Sequence, residues 1–191
     1  MNIDSVVFVK SVAKVKDCPE PLAEVAVIWR SNVWKSTLIN MLMWRTVAKA
    51  SDKPWKTQLI NYFLVNDKRY FVDLPWYGYA KSSLEERRKW IDETYTYFMK
   101  RKPFILLLVD WSIPPQKIDL EFMQELEQEG LEFVVILTKV DKASQKEVSK
   151  NLKVLKWELS KYLQYIPEII ISSSVKKMGR EKILNIIEEV I

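Results

Sequence analysis

Residues 24–40 read EVAVIWRSNVWKSTLIN, from Glu24 to Asn40: a short apolar run, then a loop, then a helix opening on Lys35-Ser36-Thr37. A loop that cradles a nucleotide's phosphates has the pattern Gly, four residues, Gly-Lys-Ser/Thr, set between a strand and a helix. Lys35, Ser36 and the spacing are present, but the two glycine positions hold Trp29 and Trp34. Glycine is needed there because backbone N–H groups must approach the phosphates, and a side chain would occupy the ligand's space. The frame points to GTP or ATP, while the two residues that would admit the ligand do not.

The composition carries the same contradiction. An ordinary domain is about 7% glycine, yet this chain has 3 Gly and 8 Trp in 191 residues. At 48% hydrophobic and 29% charged it is otherwise an ordinary globular sequence, long enough for one sizeable core. The net charge of +5 favours an anionic partner, RNA before membrane, although scattered lysines are usually a solvated face. A single cysteine, Cys18, excludes an internal disulfide framework. The absence of histidine argues against zinc sites and histidine-based triads. The longest apolar runs, near Phe104–Val109 and Phe133–Leu137, are too short to span a bilayer, and the N-terminus lacks a signal peptide's layout. The expectation is a cytoplasmic, monomeric protein with no membrane partner.

Taken in order, Val6–Val9 reads as an edge strand and Lys10–Pro21 as a polar link, giving an N-terminal extension over residues 1–21 and a single domain over 22–191. Glu24–Ile28 is continuous enough for a buried strand, and Lys35–Arg45 has helical spacing through Leu38, Ile39, Leu42 and Met43. Leu59–Val65 and Arg69–Val72 are β-rich, with Asn66-Asp67-Lys68 as a hairpin turn between them. Ser83 with Glu86 forms a capping box for a helix reaching about Lys100. Phe104–Asp110 is a buried strand, Ile118–Gln128 is an amphipathic helix stopped by Gly130, and Glu132–Leu137 is a further strand. Ser144 with Glu147 caps a helix to about Tyr162, Glu168–Ile171 is the last strand, and Arg180–Ile191 closes as a helix. Alternating strands and helices predict a three-layer α/β domain, its mostly parallel sheet covered on both faces. Ligands in such sheets bind at the carboxyl ends of the strands, where every motif named here falls.

The ordered set Lys35-Ser36, Lys53-Pro54-Trp55-Lys56-Thr57-Gln58, Asp73-Leu74-Pro75-Trp76-Tyr77-Gly78-Tyr79-Ala80-Lys81, Thr138-Lys139-Val140-Asp141 and Ser172-Ser173-Ser174 resembles the EngB (YihA/YsxC) family of bacterial ribosome-biogenesis GTPases. The resemblance covers nearly the whole chain. Singly, each motif has a bland reading: a Lys-Ser pair opening a helix, a solvated turn after a strand, a serine cap. Five in order are specific. The resemblance implies a P-loop GTPase fold with a six-stranded, mostly parallel sheet containing one antiparallel strand. It also implies a role in assembly of the large ribosomal subunit that normal septation needs. In the family the phosphate loop reads GRSNVGKS, the first switch PGKTQ and the second DLPGYGYA. This chain departs by tryptophan at 29, 34, 55 and 76, with Trp111 where relatives often have glycine and Trp44 a sixth candidate. Trp90 and Trp157 fall at helical positions where an aromatic is unremarkable. That distribution implies either a deliberately altered chain or wholesale replacement of its loop glycines.

By resemblance, residues 29–37 (Trp29, Arg30, Ser31, Asn32, Val33, Trp34, Lys35, Ser36, Thr37) form the phosphate loop, with Lys35 neutralising the β- and γ-phosphates. Ser36 and Thr57 ligate Mg2+, and Asp73 stands behind the ion. Trp55, Lys56 and Thr57 belong to the first switch, and Asp73, Leu74, Pro75 and Trp76 to the second. Asn32 either helps hold a monovalent cation, as in potassium-dependent relatives, or bonds its own loop. Thr138, Lys139 and Asp141 select guanine: Asp141 accepts from N1 and N2, Lys139 lies along the base plane, and in the turn Ser172-Ser173-Ser174 the pair Ser173-Ser174 offers O6 a backbone N–H. Tyr77 stands where many GTPases place a water-orienting glutamine, which implies slow turnover without a partner. The expected ligands are GTP or GDP with Mg2+, and the expected partner is ribosomal RNA or the large subunit. The tryptophans should largely abolish nucleotide binding and hydrolysis, so that no cofactor stays bound. Two alternatives remain: a working GTPase whose loops admit GTP past the indoles, and a basic RNA-binding module that acts without nucleotide.

Overall fold

A computed structural model describes residues 1–29, 35–44, 59–75, 84–111 and 116–191. Its elements in chain order are β1 (Val6–Val12), β2 (Ala23–Trp29), α1 (Lys35–Met43), β3 (Ile60–Val65), β4 (Arg69–Asp73), α2 (Leu84–Arg101), β5 (Phe104–Asp110), α3 (Lys117–Gln128), β6 (Phe133–Thr138), α4 (Gln145–Leu159), β7 (Ile169–Ile171) and α5 (Arg180–Val190). The strands form one sheet in the order β1-β3-β4-β2-β5-β6-β7. All six expected strands of the domain are there, and Val6–Val12 adds a seventh at the edge. β3 pairs antiparallel with both β1 and β4, whereas β4, β2, β5, β6 and β7 run parallel. β3 is therefore the one reversed strand.

The parallel centre follows from composition. Val25 to Ile28 in β2 and Phe104 to Val109 in β5 are buried on both sides of the pleat, which only a sheet covered on two faces allows. One apolar cluster gathers Ala26, Ile28, Val72, Leu107 and Val135 with Phe98 of α2, Phe122 of α3 and Leu155 of α4. The other gathers Val25, Val27, Leu106 and Ile136 with Leu38 and Leu42 of α1 and Ile183, Leu184 and Ile187 of α5. Alternate strand residues thus face opposite helical layers, and α1 and α5 share one face.

Local chemistry sets several ends. Asn66 and Asp67 both take positive φ, 52° and 54°, as a tight hairpin turn between β3 and β4 requires. α3 ends on Gly130 at φ 66°, with Gly130 N–H bonded to Glu127 O at 3.0 Å and Leu131 N–H to Leu126 O at 2.9 Å, the two bonds of a Schellman cap. Ser144 and Glu147 form the expected capping box at α4. Ser83, half of the box expected before α2, lies outside the described residues.

Candidate nucleotide site

The carboxyl ends of the parallel strands bring the motifs to one edge of the sheet. β2 ends on Trp29, β4 on Asp73 followed by Leu74 and Pro75, β5 on Asp110 followed by Trp111, and β6 on Thr138 followed by Lys139. Ser172, Ser173 and Ser174 follow β7. α1 starts at Lys35, on the same side as these strand ends.

Lys35 is buried and its ammonium is fully engaged. It pairs closely with the Asp73 carboxylate and donates to Leu74 O at 3.2 Å. It also lies 3.3 Å from the centroid of the Trp29 indole, a desolvated cation–π contact. Burial lowers the Lys35 pKa to about 8, with Asp73 opposing the shift. Burial likewise raises the pKa of the Asp73 carboxyl, against the pull of Lys35. Asn61 of β3 donates to Asp73 Oδ2 at 3.4 Å, a bracing contact that the sequence patterns did not single out. Ser36 and Thr37, on the first turn of α1, are half-buried, and Ser36 has a partner.

On the base side, Lys139 takes a left-handed backbone at φ 62°, and its amine bonds Asp110 Oδ2 at 2.5 Å. Thr138 Oγ1 donates to Val109 O at 3.2 Å. Ser173 Oγ donates to Asp141 Oδ1 at 2.6 Å, tying the turn after β7 to the Asp that follows β6. The Ser173 N–H bonds Met178 O at 3.2 Å and the Met178 N–H returns to Ser173 O at 3.0 Å. This small bridge leaves Ser174 as the residue of the pair to offer a backbone donor to a base oxygen.

The structure thus brings together Trp29, Lys35, Ser36, Thr37, Asp73, Leu74 and Pro75 on one side, and Thr138, Lys139, Asp141, Ser172, Ser173 and Ser174 on the other. Arg30, Ser31, Asn32, Val33, Trp34, Trp55, Lys56, Thr57, Trp76 and Tyr77 lie outside the described residues. Asp110 was missed by motif reading. Its signal was there, as the polar end of the run FILLLVD in register with Thr138.

Tested against a guanine nucleotide, the two halves differ. The base side fits: a carboxylate oriented by a serine, a lysine held by Asp110 and a backbone turn suit a purine edge with two N–H donors. The phosphate side does not fit as it stands, because the Lys35 amine is already taken by Asp73, Leu74 O and the Trp29 indole.

The family model for 50S ribosome-binding GTPases matches residues 24–139. The chain is 42% identical over 194 residues to the probable GTP-binding protein EngB of Porphyromonas gingivalis, covering 100% of this chain and 96% of that one. It is 44% identical over 192 residues to that of Christiangramia forsetii, covering 98% and 97%. A crystal structure of a probable GTP-binding protein EngB superposes with a TM-score of 0.69 at 24% identity, covering 88% of this chain and 98% of that one, and supports the fold. Era bound to MgGDPNP and nucleotides of 16S ribosomal RNA superposes at 0.68 with 20% identity, covering 88% of this chain and 56% of that one. The motif order, the sheet topology and full-length relatives above 40% identity converge, and the chain belongs to the EngB family of P-loop GTP-binding proteins.

Proposed function

We propose that this G domain serves assembly of the large ribosomal subunit, and through it normal septation, with guanine as the base its site selects. We also propose that, with tryptophan at 29, 34, 55 and 76, it binds GTP and GDP weakly or not at all and does not turn GTP over. The observation that carries the second part is Lys35, whose amine is shared among Asp73, Leu74 O and the Trp29 ring. A phosphate would have to displace the indole and break a buried ion pair. Losing ~4 kcal/mol of phosphate binding already weakens affinity about a thousandfold. Ser36 and Thr57 would hold Mg2+ if nucleotide were admitted, with Asp73 released from Lys35 to stand behind it. Titration with a fluorescent guanine nucleotide tests this. Saturation at micromolar concentration would favour the alternative of a working GTPase.

Charge supports an RNA partner. α4 carries Lys146, Lys150, Lys153 and Lys156, all exposed, while Glu147 is held in the capping box and Glu158 pairs with Lys161. Co-sedimentation with large ribosomal subunits should therefore weaken steeply as salt rises, because phosphate contacts release counterions. Replacing Lys150 and Lys153 by Glu should reduce it further. Binding that ignores salt would remove the RNA reading.

A further inference from the structure

The disagreement between the two halves of the site has a pattern. Wherever the family's loop glycines fail, the replacement is the same residue. Tryptophan stands at 29, 34, 55 and 76, yet Gly78 survives two residues from Trp76 in one loop, and Gly130 and Gly179 survive elsewhere. Selection against flexible loops would remove Gly78 too and would introduce alanine or serine as well. Of the tryptophans at glycine positions, those at 29, 44 and 111 lie among the described residues, and each is mismatched to its surroundings. Trp44 follows the last residue of α1 at φ 55°, the conformation that Gly130 supplies after α3 and that L side chains rarely adopt. It is 60% exposed, with Lys177 Nζ 4.4 Å and Arg180 Cζ 4.6 Å from its ring. Trp111 buries its Nε1–H with no acceptor among the described residues, whereas a buried indole normally finds one. Trp29 covers the amine its loop exists to present.

A substitution confined to Gly→Trp, partial among glycines and indifferent to context, is a property of codons rather than of protein chemistry. The triplet UGA differs from the tryptophan codon UGG only in its third base and from the glycine codon GGA only in its first. We infer that positions 29, 34, 44, 55, 76 and 111 are encoded by UGA and decoded as glycine in the cell that makes this protein, so that the native chain carries an open phosphate cradle. Glycines encoded by ordinary triplets, such as Gly78, are then unaffected. Trp90 and Trp157, at helical positions, are compatible with UGG. This inference rests on the family reading above.

Peptide mass spectrometry of the protein isolated from the cell that makes it tests the decoding directly. Glycine at these positions is the expected result, and tryptophan at them overturns the inference. A separate arm tests the reading it rests on: the chain with glycine at all six positions, made from a synthetic gene, should bind fluorescent GDP about a thousandfold more tightly than the chain with six tryptophans. If the native peptides carry glycine and the six-glycine chain folds but ignores GDP, the decoding stands and the nucleotide function falls. Native peptides carrying tryptophan, with tight GDP binding by the six-glycine chain, would be the reverse.

Discussion

At Lys35 two effects of opposite sign act on one ammonium: burial favours the neutral amine, Asp73 favours the cation, and burial is the larger. An unfolded lysine titrates near 10.5 and Lys35 at about 8, so between those values the folded chain has released a proton that the unfolded chain still holds. Stability attributable to this group therefore rises with pH across that window and is flat below it. Urea unfolding should show the parent gaining on Lys35→Met between about pH 8 and 10.5. A constant difference would mean that the amine is not buried as described. Trp44 gives a second test at this scale. A left-handed non-glycine residue costs roughly 1–2 kcal/mol, and an exposed cation–π contact returns about 0.5–1 kcal/mol. With both Lys177 and Arg180 over the ring, the two effects nearly cancel, and Trp44→Gly should change stability by no more than about 1 kcal/mol; a larger loss would show that the ring packs usefully. The identity of Lys35 was legible from its motif. Its partners were not, because Asp73 and Trp29 come from different strands and meet it only through the sheet order.

Elements were legible where a period and a cap agreed. α3 shows helical spacing up to a glycine stop, and α4 opens on Ser144 and Glu147; both ends sit where those residues place them. The edge strand was read over Val6–Val9 and runs to Val12, because its extension depends on Lys10, Ser11 and Val12 pairing with Tyr62, Asn61 and Ile60 of β3, a non-local match. Gly179 at the start of α5 shows what the pattern of apolar residues cannot reveal. Its φ is 86°, and a Cβ there would stand 2.5 Å from Ile171 O and 3.4 Å from Ser172 Cα. Gly130 has a similar φ but open space around it. Both alanine variants incur the left-handed penalty, whereas only Gly179→Ala also pushes on the backbone that leads into the serine turn. Gly179→Ala should cost at least about 2 kcal/mol, or roughly 4–8 °C in Tm for a chain of this size, and Gly130→Ala visibly less. Equal losses would remove the steric part of the argument.

Across the whole molecule, the two ends of the sheet have separate duties. The carboxyl ends carry Lys35, Asp73, Lys139 and Asp141. The start of β2 carries Glu24, buried, which pairs closely with Arg101 at the end of α2 and accepts from Tyr97 Oη at 2.6 Å. Removing one partner of such a pair leaves the other desolvated and costs about 3 kcal/mol or more, so Glu24→Ala should lower the urea midpoint substantially. It should do so without touching ligand recognition, since sites that share no partners act additively. In the six-glycine chain, Glu24→Ala should therefore leave GDP affinity unchanged wherever the protein remains folded. Asp141→Asn should do the opposite, weakening guanine binding because an amide cannot accept from two guanine donors as a carboxylate does, while barely moving the unfolding midpoint. The Ser173 hydroxyl that now donates to Asp141 can still reach the amide oxygen, which keeps the fold's loss small. Should Glu24→Ala lower GDP affinity in folded protein by as much as Asp141→Asn, the clasp at one end of the sheet would be coupled to the site at the other, and the division of duties would be wrong.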